Sequence, residues 1–297
     1  LREEARELQR LWGGFQAARV VMTANNFRVF DYLKSPKTAD RIAGILKTDR
    51  RATEILLDAL TGLELLRKTA SRYRNTSLAE RFLVRSSPCY QGDIIRHADI
   101  LWQNWSGLDE VIRTGRPHHT AHEQDSFIKG MHNLAVLKAP KVVSAIGLRG
   151  VRTALDLGGG PGTYSMEMAG KGVKVTLFDR PETVKIAKSV IRKSGIKQIS
   201  FLQGDILEDD IGRGYDLIFV SQVLHSCSGE ECLRVLRKSE DALNPGGRIV
   251  VQEFAIDKSR TRPARSALFS INMLVNTPSG RCYAPSEIRR WLSQAGL

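Results

Sequence analysis

DLGGGPGTYS, Asp156 to Ser165, closes the apolar run VRTALDL and opens a stretch of helical spacing. Its glycines stand at Gly158, Gly160 and Gly162. A dinucleotide fingerprint asks for G-x-G-x-x-G, and the third position counted from Gly158 is Thr163, so a nicotinamide reading loses its last glycine. The pattern is instead acid-x-G-x-G-x-G. Glycines so placed let the chain turn sharply from strand to helix and bring bare backbone against a ligand.

Working outward, four more short apolar runs follow, VKVTLFD, ISFLQGD, YDLIFVS and GRIVVQEF, each separated from the next by a helical stretch or turn. Runs rich in branched and aromatic residues and nearly free of charge are expected of parallel strands covered on both faces, and their alternation with helices predicts an α/β doubly wound, Rossmann-like sheet. Two acids fall at strand ends beside the loop. Asp179, with Arg180 next to it, ends the second strand, where a carboxylate can accept hydrogens from both ribose hydroxyls; Asp205 ends the third, where it and Ile206 can frame an adenine. With no pyrophosphate motif to cradle, the loop and acids together point to S-adenosylmethionine (SAM) as the ligand.

The chain has 297 residues, 42% hydrophobic and 26% charged, a globular balance that suggests two domains. No apolar run is long enough to span a bilayer, and LREEARELQR, mixing acids and bases, has no signal-peptide core, so a cytoplasmic location is expected. The net charge of +13 is spread over both halves and forms no nucleic-acid tail. Cys89, Cys227, Cys232 and Cys282 follow no disulfide or zinc spacing and are read as thiols. His118, His119 and His122 sit in a Pro-containing turn without a geometrically evident acid, so no metal is expected.

Before Gly150 the periodicity is helical. Residues 15–33 read as one largely buried helix; Thr38 and Asp40 open a second, and Arg51 to Leu66 make a third. The basic segment LLRKTASRYRNTS reads as a hairpin, giving the winged-helix order. The predicted division is residues 1–90 as a winged-helix dimerisation domain, 91–150 as a helical substrate-binding bridge, and 151–297 as the SAM-binding domain. A literal DNA-binding reading of the first part is disfavoured, because the third helix carries Glu54, Asp58 and Glu64 among its basic residues.

Beyond the fourth strand stands His225, in LHSCSGEEC. A phenol or enol attacks a sulfonium methyl far better as the oxyanion, and a histidine is suited to take its proton. LHSCSGEEC, the turn NPGG at Asn244 to Gly247 and the following RIVVQEF resemble the plant and bacterial small-molecule O-methyltransferases, the caffeate and acetylserotonin O-methyltransferase family, along most of the chain. The resemblance implies a homodimeric enzyme that methylates a hydroxyl of an aromatic or polyketide-like small molecule, with His225 as general base and Glu253 orienting it. It implies Ser221 near the donor and an acceptor pocket walled by His97, Trp102, Trp105, Phe127, Met131, Met273 and Asn276. It also implies two further strands, about 30 residues, after the helix SEIRRWLSQAG. Three positions depart from the family pattern: Ser226 for an Asp, Ser221 for a Lys, and Cys282 for a second carboxylate. They leave N- or C-methylation, or donor binding without methylation, as alternatives.

Overall fold

In the computed structural model, which describes residues 1–118 and 123–297, the chain divides into two compact units, Leu1–Ile100 and Leu101–Leu297. The first contains α1 (Arg2–Asn26), α2 (Val29–Tyr32), β1 (Lys37–Thr38), α3 (Ala39–Leu46), α4 (Arg50–Gly62), β2 (Leu66–Thr69), β3 (Arg72–Asn75), α5 (Ser77–Phe82) and the start of α6 (Gly92–Trp105). Thr38 and Asp49 cap α3 and α4 by accepting the amides of Arg41 and Ala52. The hairpin β2–β3 and the short β1 make an antiparallel sheet in the order β1-β3-β2. Phe30, Leu33, Ile42, Leu57, Leu60 and Tyr73 fill its core.

The expected buried helix over 15–33 is broken, because Arg28 takes a left-handed φ of 55° between α1 and α2. Within the single chain α1 buries only Ala24 and Asn25, while Leu8, Leu11, Trp12 and Phe15 face outward. Apolar spacing records that a face wants covering, not which surface covers it. On α4, Asp58 accepts from Lys68 at 2.6 Å and from Tyr73 at 2.8 Å, bonds that hold its carboxyl below the usual carboxylate range. That aspartate ties up the basic Lys68 of the hairpin, which a phosphate-binding wing would need free.

The second unit continues through α7 (Leu108–Thr114), α8 (Gln124–Val136), α9 (Ala139–Ile146), β4 (Thr153–Leu157), α10 (Thr163–Ala169), β5 (Lys174–Asp179), α11 (Pro181–Ser194), β6 (Ile199–Gln203), β7 (Tyr215–Ser221), α12 (Gly229–Ala242), β8 (Leu243–Gln252), α13 (Ala264–Asn276) and α14 (Pro285–Gln294). Its five strands are all parallel, in the order β6-β5-β4-β7-β8. Side chains alternate across the sheet: Leu155, Leu157, Ile218 and Val220 pack with α12 and α14, whereas Ala154, Leu217 and Phe219 pack with α9 and α10. Both faces are therefore covered, the reason the runs read as almost wholly apolar. The NPGG turn is absorbed as an irregularity, with Leu243 opposite Tyr215 and Arg248 opposite Leu217. Strand order reverses between β4 and β7, and ligands of such sheets bind at that switch point, outside the carboxyl ends.

Candidate active site

The glycine loop leaves β4 at the switch point. The amides of Gly158 and Gly159 donate to the Phe178 carbonyl at 2.9 and 3.1 Å, and that of Gly160 donates to Asp179 Oδ2 at 2.8 Å. Gly158, Gly160 and Gly162 all have positive φ, at 68°, 53° and 75°. A Cβ on Gly158 would lie 2.6 Å from Val223, and one on Gly162 2.6 Å from Ile191, so packing enforces those two. A Cβ on Gly160 would meet nothing within 4 Å. The loop thus has an open side at Gly160, where a ligand can approach the backbone. Beneath it Asp156 is fully buried, accepts from Ser165 Oγ at 2.6 Å, and is pushed up to about 6 by burial.

Asp179 ends β5 with one amide on each carboxylate oxygen, from Gly160 and from Arg180. A carboxylate offers about four acceptor directions, so the group can still accept from ligand hydroxyls. Burial raises its pKa, partly offset by those amides. Asp205, beyond β6, accepts the Leu207 amide at 2.9 Å and lies 3.3 Å from Arg180, an exposed pair of small energetic weight. Ile206 is partly buried against the sheet core. Ser221, at the end of β7, donates to Gln252 Oε1 at 3.0 Å. An open glycine backbone flanked by two strand-end carboxylates fits an adenosyl ligand's hydroxyls, amines and positive charge.

His225 follows β7 in a single helical turn, Leu224–Ser226. Its Nδ1 is 2.7 Å from Glu253 Oε2, and its amide donates to Glu253 Oε1 at 3.4 Å. The ring meets Phe269 edge-on with centroids 4.9 Å apart, and Phe254 lies 6.1 Å away. The His225 and Glu253 side chains are nearly buried, at 12% and 6% exposure, so the pair is shielded enough to be held in one geometry. Cys282 is buried, donates its amide to Ser270 Oγ at 3.1 Å, and has its thiol pushed up by burial. Among the described residues Glu253 is the carboxylate that hydrogen-bonds the histidine ring.

The expected acceptor residues fall into separate groups. Trp105 Nε1 donates to Asn272 Oδ1 at 2.9 Å, and Asn104 donates to Asn276 Oδ1 at 3.0 Å. Asn276 in turn donates to the Asn272 carbonyl at 2.7 Å. This joins the end of α6 to α13, which also carries the buried Met273. Phe127 and Met131 stand four residues apart on α8 and so share a face. Trp102 is more than one-third exposed, and His97 lies on α6 within the first unit. His119 and His122 lie outside the described residues; the His118 amide donates to the Val275 carbonyl. Among the described residues no three His, Cys, Asp or Glu are arranged to hold a metal, and no helix is long and apolar enough to cross a membrane.

Sequence reasoning overlooked Asn272, which its four-residue spacing from Asn276 on a helix could have revealed. It also overlooked His132, whose Nδ1 is 2.8 Å from Thr163 Oγ1 immediately after the glycine loop. Nothing local in the sequence marks that contact, since the two residues are on different helices.

Comparison with known proteins bears on the family and the fold. Residues 91–297 match the O-methyltransferase domain family, and residues 9–85 match the O-methyltransferase dimerisation domain. The chain is 32% identical to 3-hydroxy-5-methyl-1-naphthoate 3-O-methyltransferase of Streptomyces sahachiroi, over 88% of this chain and 79% of that one. It is 30% identical to acetylserotonin O-methyltransferase of Gallus gallus, over 96% and 89%. The crystal structure of human N-acetylserotonin methyltransferase in complex with SAM superposes with a TM-score of 0.88 at 28% identity, covering 99% of this chain and 92% of that one. With a Rossmann-like sheet in residues 91–297 matching the O-methyltransferase domain and residues 9–85 matching its dimerisation domain, this chain belongs to the O-methyltransferase family.

Proposed function

We propose that this protein transfers the methyl group of SAM to a hydroxyl of an aromatic or polyketide-like small molecule, with His225 as general base. The observation that carries the reading is the 2.7 Å contact between His225 Nδ1 and Glu253, which leaves Nε2 for the acceptor. Bound SAM supplies an electrophilic methyl on a sulfonium; S-adenosylhomocysteine is the product. Asp179, Asp205 and Ile206 would hold the sugar and base, the loop of Gly158, Gly160 and Gly162 would take the amino-acid portion on its open side at Gly160, and Arg180 and Ser221 would complete the donor wall. Glu253 accepts from Nδ1–H, which fixes the tautomer with Nε2 unprotonated and stabilises the imidazolium formed as the hydroxyl loses its proton. A phenol, with a pKa of about 10, is thereby made nucleophilic near neutrality.

Trp105, Phe127, Met131 and Met273 suit a flat apolar acceptor, and Asn276 supplies a polar contact to orient it. The similar naphthoate and acetylserotonin enzymes favour a ring-bearing acceptor. Dimerisation through residues 9–85 would cover the outward apolar stripe of α1. Four free thiols are consistent with a cytoplasmic location.

The test is calorimetric titration with S-adenosylhomocysteine beside an Asp179→Ala variant, followed by mass-spectrometric screening of phenols and naphthols with His225→Ala as control. Micromolar binding lost in Asp179→Ala, with methylated product lost in His225→Ala, is the expected result. Binding without any methylated acceptor would favour the non-methylating alternative that Ser226 and Cys282 raise.

A further inference from the structure

Helix α8 meets the donor edge through two polar contacts that the methyl-transfer scheme does not use. His132 Nδ1 lies 2.8 Å from Thr163 Oγ1, the first residue of α10, and Gln124 Nε2 donates to Thr183 Oγ1 at 3.1 Å near the start of α11. Gln124 and His132 are eight residues apart, so both project from one face of α8. Their targets are the helices that follow the two donor elements. Thr163 succeeds Gly162, the last glycine of the loop, and Thr183 lies near Asp179, where its hydroxyl helps offset the rise that burial gives that carboxyl. Both threonines are about 95% buried or more, so each hydroxyl depends on a protein partner.

We propose that His132 is a positioning residue for the methyl donor, bracing the start of α10 through Thr163 so that the glycine loop holds its ligand-ready shape, with Gln124–Thr183 as the second strut. The reason lies in the cap of α10. Gly162 has no side chain with which to fix the helix start, and its left-handed φ of 75° leaves the loop held by backbone bonds and by packing against Ile191 and Leu177. A part-buried hydrogen bond from a neighbouring helix supplies the missing lateral restraint. Because Met131 adjoins His132 on α8, the same helix that walls the acceptor pocket sets the donor loop. The inference rests on the reading of that loop as the SAM site.

The test uses the whole chain and S-adenosylhomocysteine calorimetry on His132→Ala, His132→Asn, Thr163→Val and the double variant His132→Ala/Thr163→Val, with Asp179→Ala alongside and melting temperatures for all. Loss of one such bond is expected to weaken binding roughly 3- to 10-fold. Asn, whose amide reaches the position of Nδ1, restores most of the affinity, and the double variant binds no worse than the weaker single one. Unchanged affinity in His132→Ala and Thr163→Val while Asp179→Ala loses binding overturns the brace and leaves the donor site standing. Additive losses overturn it too, because independent effects cannot come from one shared bond. Wild-type affinity in Asp179→Ala would instead strike at the donor site itself. Should His132→Ala not fold, the near-isosteric Thr163→Val decides alone.

Discussion

The edge proposed for the donor and the edge proposed for the base, here called the donor edge and the base edge, lie side by side in the second unit but are built differently. The donor edge is made of backbone: glycine amides bonded to Phe178 and Asp179, a loop shape enforced by Val223 and Ile191, and acids at consecutive strand ends. The base edge is made of side chains from distant segments, with His225 after β7, Glu253 after β8 and Phe269 on α13. Backbone amides present the same chemistry whatever side chain they carry, whereas a side-chain site can be retuned one residue at a time. Of the three departures from the family pattern, Ser226 and Cys282 sit on the base side of the boundary and Ser221 on the donor side. The two edges touch at Gly158, packed against Val223, two residues before the base.

If the division is real, variants on the base edge should cost turnover and spare donor affinity. His225→Ala is expected to lower turnover roughly 100- to 10,000-fold with S-adenosylhomocysteine affinity kept within about twofold, read by single-turnover kinetics and calorimetry. Equal loss in both measurements would erase the distinction. Glu253→Gln should cost roughly 10- to 100-fold in turnover, read by single-turnover kinetics, since the amide no longer stabilises the imidazolium. Where the edges meet, Gly158→Ala should damage both functions: the positive φ strains any side chain and the new Cβ falls 2.6 Å from Val223, a cost of roughly 1–3 kcal/mol. Donor affinity, turnover and melting temperature should all fall.

The smallest effect sharpens the donor edge alone. Burial raises Asp156 from 3.8 to about 6, so the folded chain takes up a proton that the unfolded chain leaves in solution between those values. The stability this protonation contributes is fully present below pH 3.8 and lost as pH rises through about 6. Wild type should therefore gain about 1 kcal/mol, roughly 2–4 °C in melting temperature, between pH 7.5 and pH 5 relative to Asp156→Asn. Parallel curves for the two proteins would mean the buried acid does not titrate there.

The fold and the donor edge were legible because their signals are local. Five apolar runs became β4 to β8, Thr38 capped its helix as read, and the glycine loop with Asp179 and Asp205 arrived at one sheet edge, since parallel strands all end on the same side. Resemblance to the family supplied the pairing of His225 with Glu253, 28 residues apart, which periodicity alone does not reveal. The helix over 15–33 misled because a φ of 55° at Arg28 leaves no trace in apolar spacing, and because α1 has its stripe directed away from its own core.

What the amino-acid order determined by itself was therefore the backbone: which segments extend, which coil, where glycine is required, and which acids lie at strand ends. Only the tertiary structure decided that His132 meets Thr163, that Gln124 meets Thr183, and that Asn272 ties Trp105 to Asn276. Backbone preference is set by each residue and its near neighbours. A side-chain contact between helices depends on their separation, crossing angle and rotation, and these are settled only when the cores on both faces of the sheet are packed.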